Sequence, residues 1–419
     1  MIERGARLTL DIDKPAAGGR MLARHGGQVV LVAGTIPGER VVARVERVGK
    51  GVVFADVEEI ATPSSDRRPA AFDWRCGGNV FSHIAYPRQL VIKSQIIQDA
   101  FIRIGRLPVP AAPDVLGSPE TGYRMRARLH VQGDRVGFLR EGTHELCDAA
   151  LTGQLLPQTR EWLGQLQTLL AQGEGRGDVT AIELAENIPG DRRAVHVELG
   201  SRGGASSLES LISGDRQVTD TIAVAPNRTL TLTRDVRSFF QGNRFLLEPL
   251  AQRIARLAQA ERVVDLYAGV GLFGLALAAA GAMDVTLVEG DPISSTDLAR
   301  NATPFGGQVS VRRQSVESFL ASRRDPRRAA GAVFVVDPPR TGMTREALAG
   351  IVSHQPSRIV YVSCDVATLA RDARTLVDAG WELTEVTGID LFPNTAHVES
   401  IAVFERGDAE AQGFAHSIG

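Results

Sequence analysis

Cys364 ends the run Arg358-Ile-Val-Tyr-Val-Ser-Cys364, and Glu399 stands in His397-Val-Glu-Ser400, both late in a chain of 419 residues. An ionised thiol is a strong nucleophile, and a carboxylate close to it can remove a proton from an adduct. A lone cysteine also reads as an inert core residue, and Glu399 taken singly reads as a solvated strand residue. Position weighs toward chemistry for the cysteine. The preceding apolar run, Ala332-Val-Phe-Val-Val336, ends in Asp337-Pro-Pro-Arg340, and strand tips are where open α/β sheets bind ligands. Two prolines stiffen that loop and remove amide donors. Asp337 is then a fixed acceptor suited to a planar base that presents an N–H. The competing reading is a plain strand-to-helix turn.

A second constellation lies upstream. Strand 262–266 runs into Gly269-Val-Gly-Leu-Phe-Gly274, and Glu289 closes the next strand twenty residues after Gly269. Glycines let the backbone approach a ligand, and the acid can hold two ribose hydroxyls. A dinucleotide fits this pattern, as does a tight turn with no ligand. Asp265, just before the loop, argues against a dinucleotide, because a carboxylate there repels a pyrophosphate. It suits instead the cationic amino-acid moiety of S-adenosylmethionine, which carries a ribose and no phosphate.

These groups together describe methylation of uracil at carbon 5. That carbon is a poor nucleophile until a thiolate adds at carbon 6 and turns the ring into an enolate. Carbon 5 then attacks the methyl group, and a base must remove its proton before the thiolate leaves. Cys364 and Glu399 are the candidates for those two roles.

The elements that must position them alternate strongly from residue 245 onward: helix, strand 262–266, helix 271–281, strand 284–289, helix 292–303, strand 308–312. Strand 332–336, a helix from 344, strand 358–362, helix 366–379 and two final strands follow. The alternation predicts a doubly wound, Rossmann-like α/β sheet. Residues 6–60 instead alternate with period two, punctuated by Gly18-Gly19, Gly26-Gly27 and Pro37-Gly38, which predicts a small β-barrel. Thr62 to Pro69 reads as a linker. Pro87 to Arg106 turns helical, with Leu90, Ile97, Phe101 and Ile104 on one stripe. Residues 123–140 return to strands around Gly133-Asp134, and strands and helices then mix without clear order to about 235. Asp325 to Ala330 reads as a solvated loop and the tail from Gly407 as disordered.

Composition is that of an ordinary globular protein, with 43% apolar and 23% charged residues and a formal charge of −2. A uniformly basic nucleic-acid binder is excluded; a local basic face is not. The lysines are Lys14, Lys50 and Lys93 alone, against an otherwise arginine-based positive charge. Arg124, Arg126 and Arg128 alternate with Met125, Ala127 and Leu129. Period two puts the arginines on one side of a strand, either as a phosphate rail or as a solvated face. Phe239 and Phe240 divide between core packing and stacking on a flipped-out base. The first ten residues show no secretory pattern, and the run Leu272 to Met283 is too short to span a bilayer. A cytoplasmic protein, monomeric and with no membrane partner, is the expectation.

The motifs Asp265-Leu-Tyr-Ala-Gly-Val-Gly-Leu-Phe273, Asp337-Pro-Pro-Arg-Thr-Gly342, Val362-Ser-Cys-Asp365, His397-Val-Glu-Ser400 and Phe239-Phe-Gln-Gly-Asn243 closely resemble those of the RNA uracil-5-methyltransferases. The N-terminal barrel, with Ile36-Pro-Gly-Glu39, resembles the TRAM RNA-binding domain. The resemblance spans nearly all of residues 6–406. It implies an RNA-binding barrel over 1–62, an inserted α+β domain over 63–235 and a methyltransferase domain over 236–406, with 407–419 as tail. The helix near 90–104 would pack on the catalytic sheet. It implies Cys364 as nucleophile and Glu399 as base, with Gln241, Tyr267, Gly269, Gly271, Glu289 and Asp337 lining the cofactor and uracil pocket. Phe239 and the three arginines would meet the RNA. Structured RNA is the implied partner, ribosomal RNA first and transfer RNA second.

Two departures from the family pattern stand out. Many relatives carry a four-cysteine iron–sulfur site with Cys-Gly-Gly-Cys, where this chain reads Cys76-Gly-Gly-Asn79; Cys147 matches another ligand position. Two thiolates cannot close such a cage. No cluster and no metal are expected, Cys76 and Cys147 are expected as residual buried thiols, and Trp74, Phe81 and Ile84 should anchor the segment by packing. Leu272 stands where relatives often place a polar residue. Competing functions are a cytosine enzyme, disfavoured because the proline loop lacks a cysteine, and an RNA-binding protein or chaperone that retains a non-essential methylation site.

Overall fold

The computed structural model describes residues 2–16, 18–109, 112–140, 142–173, 179–200, 216–322 and 331–406. The loop read at Asp325–Ala330 and the tail from Gly407 lie outside the described residues.

Strands Arg7–Pro15, Met21–His25, Gln28–Ala33, Arg40–Val48 and Val52–Thr62 close into a barrel. Their inward residues, such as Leu8, Leu10, Val30, Val41 and Val53, make its core. The loop after the third strand is tied down by Glu39. Its carboxylate accepts from the Ile36 N–H at 2.9 Å and the Ser64 N–H at 3.1 Å, and pairs with Arg67. The start of the linker is thereby pinned to the barrel.

The chain then crosses to the far body before building the middle region. Helix Tyr86–Ala100 packs beside the catalytic sheet, and strand Val115–Leu116 adds to that sheet's edge, parallel to Trp381–Ile389. Of the expected helical stripe, Ile97 and Phe101 are fully buried, but Ile104 is 48% exposed. The last turn, Phe101–Gly105, is a wider π turn, which breaks the helical period and rotates Ile104 outward.

The middle sheet has five strands in the order Arg193–Leu199, Val179–Glu186, Arg126–Gln132, Arg135–Leu139, Leu146–Asp148, backed by helix Pro157–Ala171. The hairpin Gln217–Ala225 with Arg228–Asp235 belongs physically to the next body. Its Ile222, Val224, Leu230 and Leu232 enter the core under the glycine loop.

The catalytic sheet has eight strands, ordered Val309–Arg313, Asp284–Glu289, Arg262–Leu266, Val333–Val336, Arg358–Ser363, Glu399–Arg406, Trp381–Ile389, Val115–Leu116. The first five are parallel, and Glu399–Arg406 runs antiparallel to its neighbours. Alternate residues face two separate cores: Val263 and Val335 one, Val264 and Val336 the other. Both faces are covered by helices, as a doubly wound sheet requires. The strand order reverses between Arg262–Leu266 and Val333–Val336, and such a switch point opens a crevice at the strands' carboxyl ends.

Candidate active site

That crevice widens into a cavity of about 980 Å³ lined by Gln241, Tyr267, Gly269, Glu289, Asp337, Cys364 and Glu399, with Phe239, Arg124 and Arg126 also on its wall. Its volume is near the upper end of the roughly 300–1,000 Å³ typical for one small ligand. Gly271 is part of the same loop but packs inward, and Arg128 lies outside the cavity lining, bound to Glu198 at 2.7 Å.

The glycine loop is held by close packing. A Cβ on Gly274 would come within 2.1 Å of the Leu287 side chain, so the helix Leu272–Ala280 lies hard against the sheet only because that residue has none. Tyr267 takes a left-handed backbone conformation, φ +62°, unusual for a bulky residue and concentrated at functional sites in general. Glu289 accepts from the N–H groups of Gly269 at 2.8 Å and Asp291 at 2.6 Å. A carboxylate has about four acceptor positions, so room remains for ribose hydroxyls. Burial raises its pKa above the usual carboxylate range.

Asp265 differs from the expectation that its carboxylate faces the ligand. It is fully buried beneath the loop, outside the cavity lining, with one oxygen accepting from the Gly274 N–H at 2.7 Å. Burial pushes its pKa to about 8, against the Gly274 hydrogen bond. Its Oδ1 has no partner, and it acts on the loop from below. Leu272 is 6% exposed and packs in the core.

Cys364 and Glu399 meet because of strand register. Val362 pairs with Ile401 and Ser363 with Ser400 across the antiparallel junction. One further step puts Cys364 opposite Glu399, where the strands part. Burial pushes the Cys364 thiol to about 11, with the Glu399 carboxylate adding to the rise; Arg340, hydrogen-bonded to the thiol, opposes it. The neighbouring Asp365 faces elsewhere: its carboxylate caps the helix Val366–Asp378 by accepting from the Thr368 N–H at 2.9 Å. Glu399 is 3% exposed, and burial lifts it to about 8 against the pull of Arg340. Asp337 is lifted well above its usual value by burial and by the Glu399 charge.

The loop leading into Glu399 is fastened from behind. Lys93 and Asp390 form a fully buried ion pair; Lys93 also donates to the Phe392 carbonyl at 3.0 Å, and the Tyr86 hydroxyl donates to Asp390 at 3.1 Å. The sequence alone assigns no role to Arg340 or Lys93. Arg340 belongs to the quoted proline motif, and Lys93 is a rare lysine in an arginine chain, so both carried a signal.

On the opposite wall, Phe239 is 56% exposed while Phe240 is buried at 4%, so the two divide between wall and core. Arg126 stands over the Phe239 ring at 5.9 Å and bonds Glu183 at 3.3 Å; Arg124 donates to Gln154 at 2.6 Å. Cys76 and Cys147 are not free thiols. They form a disulfide, with Cα atoms 5.9 Å apart, which joins the Cys76-Gly77-Gly78 turn to the middle sheet. Spatial neighbours 71 residues apart in sequence leave no local sign of such a pairing. Phe81 and Ile84 are fully buried, whereas Trp74 is only half-buried against Gly34. Among the described residues no group of three or more His, Cys, Asp or Glu could hold a metal ion, and no helix is long and apolar enough to cross a membrane.

The chain is similar to known proteins over most of its length. Residues 2–57 match the TRAM domain, and residues 181–407 match the family described as tRNA (Uracil-5-)-methyltransferase. A Halomonas elongata protein named 23S rRNA (uracil(1939)-C(5))-methyltransferase RlmD is 32% identical, over 97% of this chain and 92% of that one. The protein of the same name from Chromohalobacter salexigens is 35% identical, over 95% and 89%. The crystal structure of Pyrococcus abyssi tRNA (uracil-54, C5)-methyltransferase in complex with S-adenosyl-L-homocysteine shares the fold, with a TM-score of 0.73 over 94% of this chain and 99% of that one at 22% identity. The chain belongs to the tRNA (Uracil-5-)-methyltransferase family, S-adenosylmethionine-dependent enzymes that methylate RNA.

Proposed function

We propose that this enzyme methylates carbon 5 of one uridine in 23S ribosomal RNA, in the cytoplasm and as a monomer, through a covalent bond between Cys364 and the base. The observation that carries the mechanism is the placement of Cys364, Glu399 and Asp337 on one cavity wall, with the glycine loop and Glu289 on the same cavity. The choice of ribosomal RNA rests on near-full-length relatives that bear that substrate in their names.

The cofactor residues fit S-adenosylmethionine. Glu289 retains free acceptor positions for ribose hydroxyls, and Asp337 is held by Gln241, which donates to it at 3.3 Å. Bound there, the cofactor supplies an electrophilic methyl group. The Cys364 thiolate adds to carbon 6 of the uracil, and the ring electrons move to the oxygen at carbon 4 as an enolate. Carbon 5 takes the methyl group as the methyl–sulfur bond breaks, and S-adenosylhomocysteine is the leaving group. Glu399 then removes the proton from carbon 5, the ring double bond re-forms, and the thiolate leaves. Arg340 favours the thiolate form by charge and hydrogen bond. Phe239, exposed on the wall, offers a face for the extruded base or its neighbour, since the target atom is unreachable inside a stacked helix.

Nucleoside mass spectrometry of ribosomal and transfer RNA from a deletion strain tests the substrate. Loss of one 5-methyluridine from 23S RNA, restored by the intact gene and not by Cys364→Ala, is expected. Loss from transfer RNA alone would move the substrate to the class named in the family's description. Growth rescued equally by Cys364→Ala would favour an RNA-binding role independent of chemistry.

A further inference from the structure

A second cleft, of about 510 Å³, opens between the barrel and the Phe72–Asn79 segment and is lined by Arg20, Arg47, Phe54, Trp74 and Arg75. Its composition is unusual for a surface hollow. Arg47 lies over the Phe54 ring at 3.9 Å, with Arg20 also against that ring at 5.7 Å, and Arg75 lies over the Trp74 ring at 5.4 Å. The carboxylates at its edge already have arginine partners: Glu46 and Asp56 share Arg20, and Glu145 shares Arg140 with Asp73. Among the described residues Arg47 and Arg75 have no carboxylate partner and are exposed. Two unpaired guanidinium groups beside aromatic rings match the pattern that binds single-stranded nucleic acid, charge for the backbone and flat faces for bases.

The cleft is also linked to the reaction site through one chain segment. Three residues after Trp74 the same segment supplies Gly77 and Gly78 to the wall of the catalytic cavity. The disulfide from Cys76 to Cys147 fixes that segment on the middle sheet. The Phe72–Asn79 stretch thus contributes Trp74 and Arg75 to this cleft and Gly77 and Gly78 to the catalytic cavity.

We propose that this cleft seats a single-stranded stretch of the RNA flanking the target uridine, with a base against the open part of the Trp74 indole and backbone phosphates on Arg47 and Arg75. The inference rests on the reading of RNA as substrate and adds where, beyond the reacting base, this chain grips it. Trp162 and Trp381 are 9% and 4% exposed, while Trp74 is half-buried; Trp74 therefore dominates the tryptophan emission that a bound base can quench.

Poly(U) titrated into the full chain should quench that emission, and Trp74→Phe should remove the quench. Trp74→Ala should weaken poly(U) binding about 5- to 150-fold, the worth of one stacked base. Because Trp74 also packs on Gly34, a second variant avoids the fold: Arg47→Gln with Arg75→Gln should lower the slope of log affinity against log salt by about 1.4, for two single-strand phosphate contacts. Affinity for S-adenosylmethionine should stay unchanged in both. A quench that survives in Trp74→Phe, no quench at all, or an unchanged salt slope would overturn the proposal. Methylation of ribosomal RNA alongside any of these results would overturn the cleft alone and leave the proposed function standing. Failure to methylate any RNA would overturn that function instead, with the poly(U) titration still deciding the cleft.

Discussion

Gln241 donates its side-chain amide to Asp337 at 3.3 Å, tying the Phe239–Asn243 segment, which precedes the sheet, to the tip of its fourth parallel strand. Both ends of the bond line the catalytic cavity. Burial and the nearby Glu399 charge hold the Asp337 pKa high, so this amide contact helps fix how the carboxyl group is presented. Gln241→Leu should remove one hydrogen bond from a buried acceptor, a loss of about 1–3 kcal/mol. We expect kcat/KM to fall by about 5- to 150-fold, with the fold intact by thermal melting. Wild-type kinetics in that variant would show the contact to be incidental.

Glu399 links activity and stability to pH. Its folded pKa of about 8 lies above the ordinary value of 4.5 because it is buried. The native state therefore holds the proton more tightly than the unfolded chain, and its contribution to stability is full at low pH and lost as pH rises from about 4.5 to 8. Glu399→Gln should melt higher than wild type at pH 8.5, and the gap should narrow toward pH 5. Wild-type kcat should rise through about pH 8 as the base ionises, because proton removal follows methyl transfer. The Gln variant should stop after methyl transfer and accumulate methylated RNA bound to Cys364. Melting curves that differ equally at all pH values, or normal turnover in the variant, would reassign the base.

The cysteines give a count. Protein purified without reductant and then denatured should show one reactive thiol per chain, Cys364, and three after reduction, because Cys76 and Cys147 are joined. Three thiols from the start would mean that the bridge does not form. Protein purified without oxygen should be colourless and free of stoichiometric iron, since two cysteines cannot replace four ligands.

What the sequence shows of this fold depends on how local each determinant is. The strands Arg262–Leu266, Val333–Val336 and Arg358–Ser363 are buried on both faces, so they read as continuous apolar runs between helical patterns. Motifs at their tips, Asp337 and Cys364, were legible because strand ends place side chains without help from distant residues. The region from 140 to 235 was not. Its strands are half-buried, as in Arg193–Leu199, and their pairing is set by residues up to about sixty positions away, as Ala185 with Arg126 shows. Asp265 was assigned to the ligand by its position, but the helix packed over Gly274 turns it into the core. Ile104 was misplaced because a π turn leaves no mark in hydrophobic period.

The central claim is a covalent bond between Cys364 and carbon 6 of the uracil. RNA carrying 5-fluorouridine at the target position tests it most directly, because fluorine cannot leave carbon 5 as a proton. Incubated with S-adenosylmethionine and the wild-type enzyme, then digested and analysed by mass spectrometry, it should yield one peptide joined to a methylated fluorouridine through Cys364. Cys364→Ala should give none and no methylation of ordinary RNA. A wild-type enzyme that methylates uridine yet forms no such adduct, or forms it on another residue, would contradict the mechanism.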